Sequence, residues 1–284
     1  DVLLVLFALY VLLVMGFSGL TCLFFLYETI NGEGLEAVRA RLGYSPAWGV
    51  LQTFVGGAVS QAFIVLTYPL GLLMAAWDAK AAARPRSPAQ PILVFIHGLY
   101  HNPSAWLLFR HRLRRAGFTR LCHFGYSSWN TDFESIARRL TNRLQELAQA
   151  HPDSRIVLIG HSLGGLLSHN ALTDPACRAL IAAVVTLGAP HRGSKLAALA
   201  LGRLGRSLLP DGPLFQALEA RDLPPERPCL SLASPVDSMV LPYEALRLRT
   251  PGWIERQTPA ASHVGMIYHR GIYRMVLRFL EEQL

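Results

Sequence analysis

Two long stretches near the beginning of the chain are almost purely apolar. Residues 2–27 form 26 consecutive positions without a charge, more than the ~20 residues that an apolar helix needs to cross a bilayer. Residues 49–77 are also uncharged, but glycines and Pro69 dilute their apolar character. We therefore predict a membrane anchor over residues 1–77, with spans at about 2–27 and 50–77. For the second stretch, a segment that lies in the membrane plane or re-enters it is the alternative.

The pattern changes after the second apolar stretch. Residues 78–90 are rich in alanine, proline and charge and lack apolar periodicity, which is typical of a linker. From residue 91 onward, short apolar runs alternate with segments whose apolar residues recur every three to four positions. The predicted strands are 91–98, 120–126, 155–160, 180–190, 228–235 and 253–259. The predicted helices are 104–117, 132–150, 163–173 and a closing helix that begins at His263.

Strands that are apolar throughout and alternate with helices indicate an α/β fold, with a mostly parallel sheet covered by helices on both faces. We predict this fold for residues 91–284, preceded by one or two transmembrane helices. In such a sheet, reactive groups collect in the crevice outside the carboxyl ends of the strands. A serine, a carboxylate and an imidazole follow predicted strands, namely Ser162, Asp237 and His263.

Charge and cysteine content narrow the function classes. Beyond residue 77 the chain has 25 basic and 15 acidic side chains, a balance of about +10. A basic domain beside a membrane anchor suits anionic lipid headgroups, although arginine-rich composition alone is an equal explanation. No basic stripe interleaved with aromatic residues is present, which argues against nucleic-acid binding. The four cysteines form no C-x-x-C pair, and we expect no metal site and no cofactor.

The segment LIGHSLGGL, residues 158–166, contains the candidate nucleophile. Its Gly160, Ser162 and Gly164 fit the pattern G-x-S-x-G, in which small flanking residues let a strand and a helix pack closely around a sharp turn. The pattern alone is weak evidence. Its position after an apolar strand and before an apolar helix is the context that the motif requires, so we predict that Ser162 is the nucleophile.

A serine hydroxyl needs a base, and the base needs an acid that fixes its tautomer. In this class of fold the expected chain order is serine, acid, histidine, and Asp237 and His263 satisfy it. Three residues compete for these roles. His269 is predicted to lie two turns into the closing helix, whereas Glu244 and Asp222 lie farther from a predicted strand end.

An oxyanion intermediate needs two preorganised N–H donors. One is predicted to be the backbone amide of Leu163, at the start of the helix after the nucleophile. The other is predicted to be the amide of Leu99, in the loop after the first strand. We interpret His97, beside Gly98, as a residue that braces this loop.

Five segments, in this order, resemble motifs of α/β-hydrolase-fold lipases and esterases, particularly bacterial triacylglycerol-lipase-like enzymes: HGLYHNPSAW, GHSLGGLLSHNAL, TLGAPHRGS, SPVDSMVLP and SHVGMIYH. Some of those enzymes carry hydrophobic N-terminal helices and an HG-x(6)-W segment, from which Trp106 is offset by one position. The resemblance covers roughly residues 91–282. It implies an α/β-hydrolase fold and Ser162, Asp237 and His263 as a catalytic triad.

Residues 194–225 stand where this fold commonly inserts a cap. The segment is amphipathic without being continuously helical, and we predict a lid over an acyl-binding groove; an ordinary surface helix pair is the alternative. The predicted function is a membrane-anchored serine hydrolase that cleaves carboxylic esters of lipids. A lipid acyltransferase with the same triad and an inactive lipid-binding scaffold are the alternatives.

The expected partners are a lipid or ester substrate and the bilayer, with a possible homodimer through the N-terminal helices. We expect the chain in a membrane, most simply a bacterial inner membrane. With two spans, Lys80, Arg84 and Arg86 favour a cytoplasmic catalytic domain. A single-span arrangement would place it on the periplasmic side.

Overall fold

The computed structural model describes the backbone of residues 2–81 and 90–284, and the side chains of these residues except 75–81. The α-helices are α1 (Val2–Asn31), α2 (Leu35–Leu42), α3 (Pro46–Ala81), α4 (Leu107–Arg115), α5 (Phe133–Ala150), α6 (Leu163–Thr173), α7 (Pro175–Arg178), α8 (Gly202–Arg206), α9 (Pro213–Glu219) and α10 (Arg270–Gln283). The strands are β1 (Ile92–Ile96), β2 (Leu121–Phe124), β3 (Ile156–His161), β4 (Ile181–Leu187), β5 (Cys229–Ala233) and β6 (Ile254–Gln257). Short 3-10 helices cover Pro103–Trp106, Lys195–Leu199, Tyr243–Leu246 and Val264–Ile267.

The six strands form one parallel sheet in the order β2-β1-β3-β4-β5-β6. Alternate strand residues face two separate cores, because successive side chains in a strand point to opposite faces. Val94 and Leu158 face the core under α5 and α6, whereas Phe95 and Ile159 face the core under α4 and α10. The predicted α/β fold with helices on both faces is confirmed, and each predicted strand is present.

Two predicted helices are interrupted. The segment 104–117 is a 3-10 turn followed by α4, and the closing helix is a 3-10 turn followed by α10. The break before α10 lies at His269, whose Nδ1 accepts hydrogen bonds from the amides of Gly271 (3.1 Å) and Ile272 (3.4 Å). His269 is therefore a helix N-cap, and the prediction that it lies two turns into a helix was wrong.

Helices α1 and α3 are long and apolar enough to cross a membrane, by length and composition. Most buried residues of α3 are spaced three, four or seven positions apart, which places them on one face. They include Gly49, Thr53, Gly57, Ile64 and Gly71. Of the predicted linker 78–90, residues 78–81 are helical, and 82–89 lie outside the described residues.

The buried face of α3 packs against the domain that carries the sheet. The Thr53 hydroxyl donates to the carbonyl of Val236 (3.2 Å), and Ile64 belongs to the core under α4 and α10. Near the other end, the side-chain amide of Asn102 donates to the carbonyl of Tyr68 (2.8 Å). Gly49 lies close to Val236 and Gly71 lies close to Asn102, 22 residues further along the helix. At 1.5 Å per residue, α3 therefore lies alongside the domain for about 30 Å.

Candidate active site

The carboxyl ends of β1 and β3 are adjacent, and the chain leaves them in opposite directions across the sheet, to β2 and to β4. Such a reversal of strand order opens a crevice in a parallel sheet. The loop after β1 contains Gly98 and Leu99, and Ser162 follows β3 directly. The fold thus brings the predicted oxyanion loop next to the predicted nucleophile: a Cβ added to Gly98 would lie 3.1 Å from Ser162 Cβ.

Ser162 occupies a strained turn between β3 and α6. Its backbone angles are φ 54° and ψ −124°, in a region that residues with a Cβ rarely adopt. The amide of Ser162 donates to the carbonyl of Leu187 in β4 (2.9 Å), which fixes the turn to the neighbouring strand. The flanking glycines are sterically required: a Cβ on Gly160 would lie 2.2 Å from the Gly164 carbonyl oxygen, and one on Gly164 would lie 2.2 Å from that of Ile96.

His263 and Asp237 form a buried hydrogen-bonded pair. His263 Nδ1 donates to Asp237 Oδ2 at 2.7 Å, and both side chains are almost fully inaccessible to solvent. Asp237 Oδ1 accepts from the amides of Met239 and Val240, each at 2.9 Å. These bonds orient the carboxylate, which in turn holds the imidazole with Nε2 free to act as a base.

The two predicted oxyanion amides lie on the two sides of the crevice. Leu163 is the first residue of α6, so its amide has no acceptor within the helix. Leu99 is the second residue of a turn closed by the bond from the His101 amide to the Gly98 carbonyl (3.2 Å), with Tyr100 at φ 59°. Among the hydrogen bonds of the described residues, neither the Leu99 nor the Leu163 amide has an acceptor.

His97 connects the loop after β1 to the loop after β2. Its Nδ1 donates to the Gly98 carbonyl (2.9 Å), its Nε2 accepts from the Tyr126 amide (3.2 Å), and its ring stacks on Tyr126 at 4.1 Å. Burial lowers the pKa of His97 to about 4, so the ring is neutral at neutral pH. These contacts fit a bracing residue better than a proton carrier.

Two further buried histidines flank His263, and sequence reasoning assigned them no role. The ring centroid of His161 lies 4.7 Å from that of His263, and His161 Nε2 donates to the His263 carbonyl (3.0 Å). His101 is parallel to His161 at 6.1 Å. Burial, with neighbouring His97 and His263, lowers the pKa of His101 to about 3, and burial also lowers the pKa of His161. The position of His161 immediately before Ser162 was the available signal.

Ser162 and His263 line one mostly apolar pocket of about 290 Å³. One wall comes from the predicted lid, through Leu196, Leu199 and Leu208. Helix α1 also lines the pocket, which was not predicted from the sequence. Its lining residues are Phe17, Leu20, Thr21 and Phe24.

Only the first half of the predicted lid 194–225 reaches this pocket. Helix α9 instead borders a second cavity of about 180 Å³, where His169 Nε2 bonds Asp222 Oδ1 at 2.8 Å. Asp222 is thus engaged away from His263, and Glu244 is an exposed residue of the 3-10 turn Tyr243–Leu246. No group of three or more His, Cys, Asp and Glu side chains within residues 2–74 and 90–284 is arranged to hold a metal ion.

Comparisons with known proteins agree with the fold. Residues 93–276 match the alpha/beta hydrolase family. The structure of mature Bacillus licheniformis lipase BlEst2 is similar with a TM-score of 0.55 and 19% identity, covering 71% of this chain and 94% of that one. Aspergillus fumigatus lipase B gives a TM-score of 0.59 and 15% identity over 68% of this chain and 53% of its own. Est1E of Butyrivibrio proteoclasticus, solved with ferulic acid, gives a TM-score of 0.54 and 17% identity, covering 70% of this chain and 91% of its own.

At these identities the structural likeness shows the fold alone. In sequence, the Saccharomyces cerevisiae protein YJR098C is 35% identical over 70 residues, which are 24% of this chain and a tenth, 10%, of the yeast protein. The family match covers well over half of the chain and includes both the Ser162 turn and the His263–Asp237 pair. The chain therefore belongs to the alpha/beta hydrolase family.

Proposed function

We propose that the protein hydrolyses carboxylic esters of lipids through an acyl-enzyme on Ser162. The observation that carries this proposal is the arrangement of the pocket: a serine on a strained turn and the histidine of a buried histidine–aspartate pair border the same apolar cavity. A strained turn exposes the hydroxyl, and the ordered pair supplies a base.

In the proposed first half-reaction, Ser162 Oγ attacks the ester carbonyl carbon while its proton passes to His263 Nε2. Asp237 stabilises the resulting imidazolium through the Nδ1 hydrogen bond. The Leu99 and Leu163 amides bind the oxyanion of the tetrahedral intermediate. When the intermediate collapses, the carbon–oxygen bond to the alcohol breaks, and the alkoxide takes the proton from His263.

The second half-reaction repeats these steps with water. Water gives a proton to His263 and attacks the acyl carbon, and the collapse releases the fatty acid and returns the proton to Ser162 Oγ. Burial keeps the neighbouring His101 and His161 neutral, so they place no positive charge beside the imidazolium that forms on His263.

A lipid substrate is supported by the surroundings of the pocket. Both N-terminal helices expose rows of large apolar side chains, including Leu12 on α1 and Leu66 on α3, and such surfaces are typical of membrane contact. We propose that these helices hold the domain against the bilayer. The packing of α3 along the domain supports the in-plane alternative for this helix. If α3 crossed the bilayer, the domain surface packed along it would lie within the ~30 Å hydrocarbon core.

Replacing the nucleophile tests the proposal. We expect Ser162→Ala to lower hydrolysis of medium-chain nitrophenyl esters and phospholipids by about a million-fold and Asp237→Asn by about ten-thousand-fold, because each removes part of one proton-transfer unit. A fluorophosphonate probe should label the wild type and fail to label Ser162→Ala. Unchanged hydrolysis in Ser162→Ala would disprove the proposal. Analysis of products with an added acceptor alcohol separates hydrolysis from acyl transfer.

A further inference from the structure

The N-terminal helix α1 is part of the wall of the pocket that contains Ser162. Phe17, Leu20 and Phe24 recur every three to four residues, so they lie on one face of α1, and all three line the cavity. The remaining lining from α1 is Thr21. An element with the length and composition of a membrane span therefore shapes the space in front of the candidate nucleophile.

Contacts on both sides of this segment hold α1 in place. Toward its beginning, the Ser18 hydroxyl donates to the carbonyl of Phe54 in α3 (2.7 Å). Toward its end, Phe25 is buried in a cluster with Val236, and Glu28 forms an ion pair with Lys195 at the start of the lid. The Phe17–Phe24 segment is thus held against α3 near its beginning and against the domain just beyond its end.

Side chains that line the pocket and are also exposed mark its mouth. Phe17 is 42% exposed, Leu20 48% and Leu199 60%. The mouth therefore lies between α1 and the 3-10 helix of the lid, and these side chains around it are apolar. Leu201, two residues after Leu199, is exposed as well.

We infer that α1 is the acyl-chain wall of the site and that its Phe17, Leu20 and Phe24 set chain-length preference. The substrate is an ester of a long acyl chain held in a bilayer, and the chain enters between Leu20 and Leu199. This inference rests on the proposed ester hydrolysis at Ser162. Chemistry supports it: an apolar mouth continuous with an apolar wall binds an alkyl chain, whereas it offers a polar or charged substrate no partner.

Leu20→Trp tests the inference, with Leu13→Trp as the matched control. Leu13 is seven residues earlier on the same face of α1 and 67% exposed, and it does not line the pocket. The measured quantity is the ratio of kcat/KM for a decanoyl ester to that for an acetyl ester, with the full chain in mixed micelles. We expect at least a tenfold fall in Leu20→Trp and a ratio within about twofold of wild type in Leu13→Trp. Equal ratios in the two variants would overturn the inference.

A widened wall provides a second, opposite test. Phe24→Ala should raise the ratio of kcat/KM for a hexadecanoyl ester to that for a decanoyl ester at least threefold, because the removed ring leaves room for a longer chain. An unchanged ratio counts against the inference. Fluorophosphonate labelling of Ser162 reports whether each variant keeps an intact site. If Leu20→Trp is not labelled, the Phe24→Ala ratio alone tests the inference. A wild type without labelling would instead contradict the proposed hydrolase function.

Discussion

Ser162 has positive φ although its side chain is not that of glycine or asparagine. The tight packing of the residues around the turn imposes this conformation. A Cβ on Gly160, Gly164 or Gly165 would lie within 2.7 Å of another backbone or side-chain atom. The strain is held by the surrounding packing, as is common at catalytic positions. The strained backbone positions the Ser162 hydroxyl and lowers the stability of the fold. Relieving the strain should therefore raise the free energy of unfolding.

We expect Ser162→Gly to be more stable than Ser162→Ala by about 1 kcal/mol. Positive φ costs a residue with a Cβ about 1–3 kcal/mol, and glycine relieves this cost while losing about 0.5–1 kcal/mol through unfolded-state entropy. Both variants lack the nucleophile, so activity does not enter the comparison. Thermal unfolding of the two proteins in the same detergent measures the difference, and equal midpoints would show that the turn is not strained.

At the scale of elements, α3 has two faces with different partners. Its small buried residues let the helix approach α1 and the domain closely, and a Cβ on Gly57 would lie 2.6 Å from the Ser18 hydroxyl oxygen. The opposite face exposes large apolar residues, among them Leu51, Val55 and Val59. In the sequence these glycines look like a diluted membrane span, whereas in the structure they form the packing face.

Gly57→Leu should therefore push α1 away from α3. We expect a loss of about 2 kcal/mol in the free energy of unfolding, the usual cost of overpacking a closely packed contact. Lower activity on long-chain esters should follow, since α1 lines the pocket. Val59→Leu is the control, because Val59 is 65% exposed and surface changes usually stay within about 0.5 kcal/mol. Equal unfolding midpoints for the two variants would argue that the helices do not pack here.

For the whole molecule, local sequence patterns predicted the helices and strands, whereas contacts between residues far apart in the sequence could not be predicted. The strands and the helices α5 and α6 could be predicted from apolar periodicity, because the residues that form the buried face of an element recur at regular positions in its own sequence. The Asp237–His263 pair could be placed because both residues follow strands of one parallel sheet. The contribution of Phe17 to the pocket could not be predicted, because no local pattern links residue 17 to residue 162. The N-cap at His269 was missed because the apolar periodicity continues across it.

The buried histidines also affect the molecule as a whole. Burial lowers the pKa of His97 to about 4, that of His101 to about 3 and that of His123 to about 2, and it lowers the pKa of His161 and His191 as well. An unfolded histidine titrates near 6.5. Below that pH the unfolded chain binds protons that these folded sites exclude. The free energy of unfolding is therefore highest above pH 6.5 and falls with pH toward about 4.

His97 alone should contribute about 2 kcal/mol to the loss of stability between pH 7.5 and pH 5, because its pKa is about 4 in the folded protein and about 6.5 in the unfolded chain, and each pH unit between these values corresponds to about 1.4 kcal/mol. His97→Gln keeps an acceptor for the Tyr126 amide and does not titrate. We expect its thermal midpoint to fall less between pH 7.5 and pH 5 than that of the wild type. His111→Gln, at an exposed position on α4, should keep the wild-type fall. If His97→Gln lost as many degrees as His111→Gln, His97 would not be a neutral buried brace, and the loop that carries Leu99 would depend on other contacts.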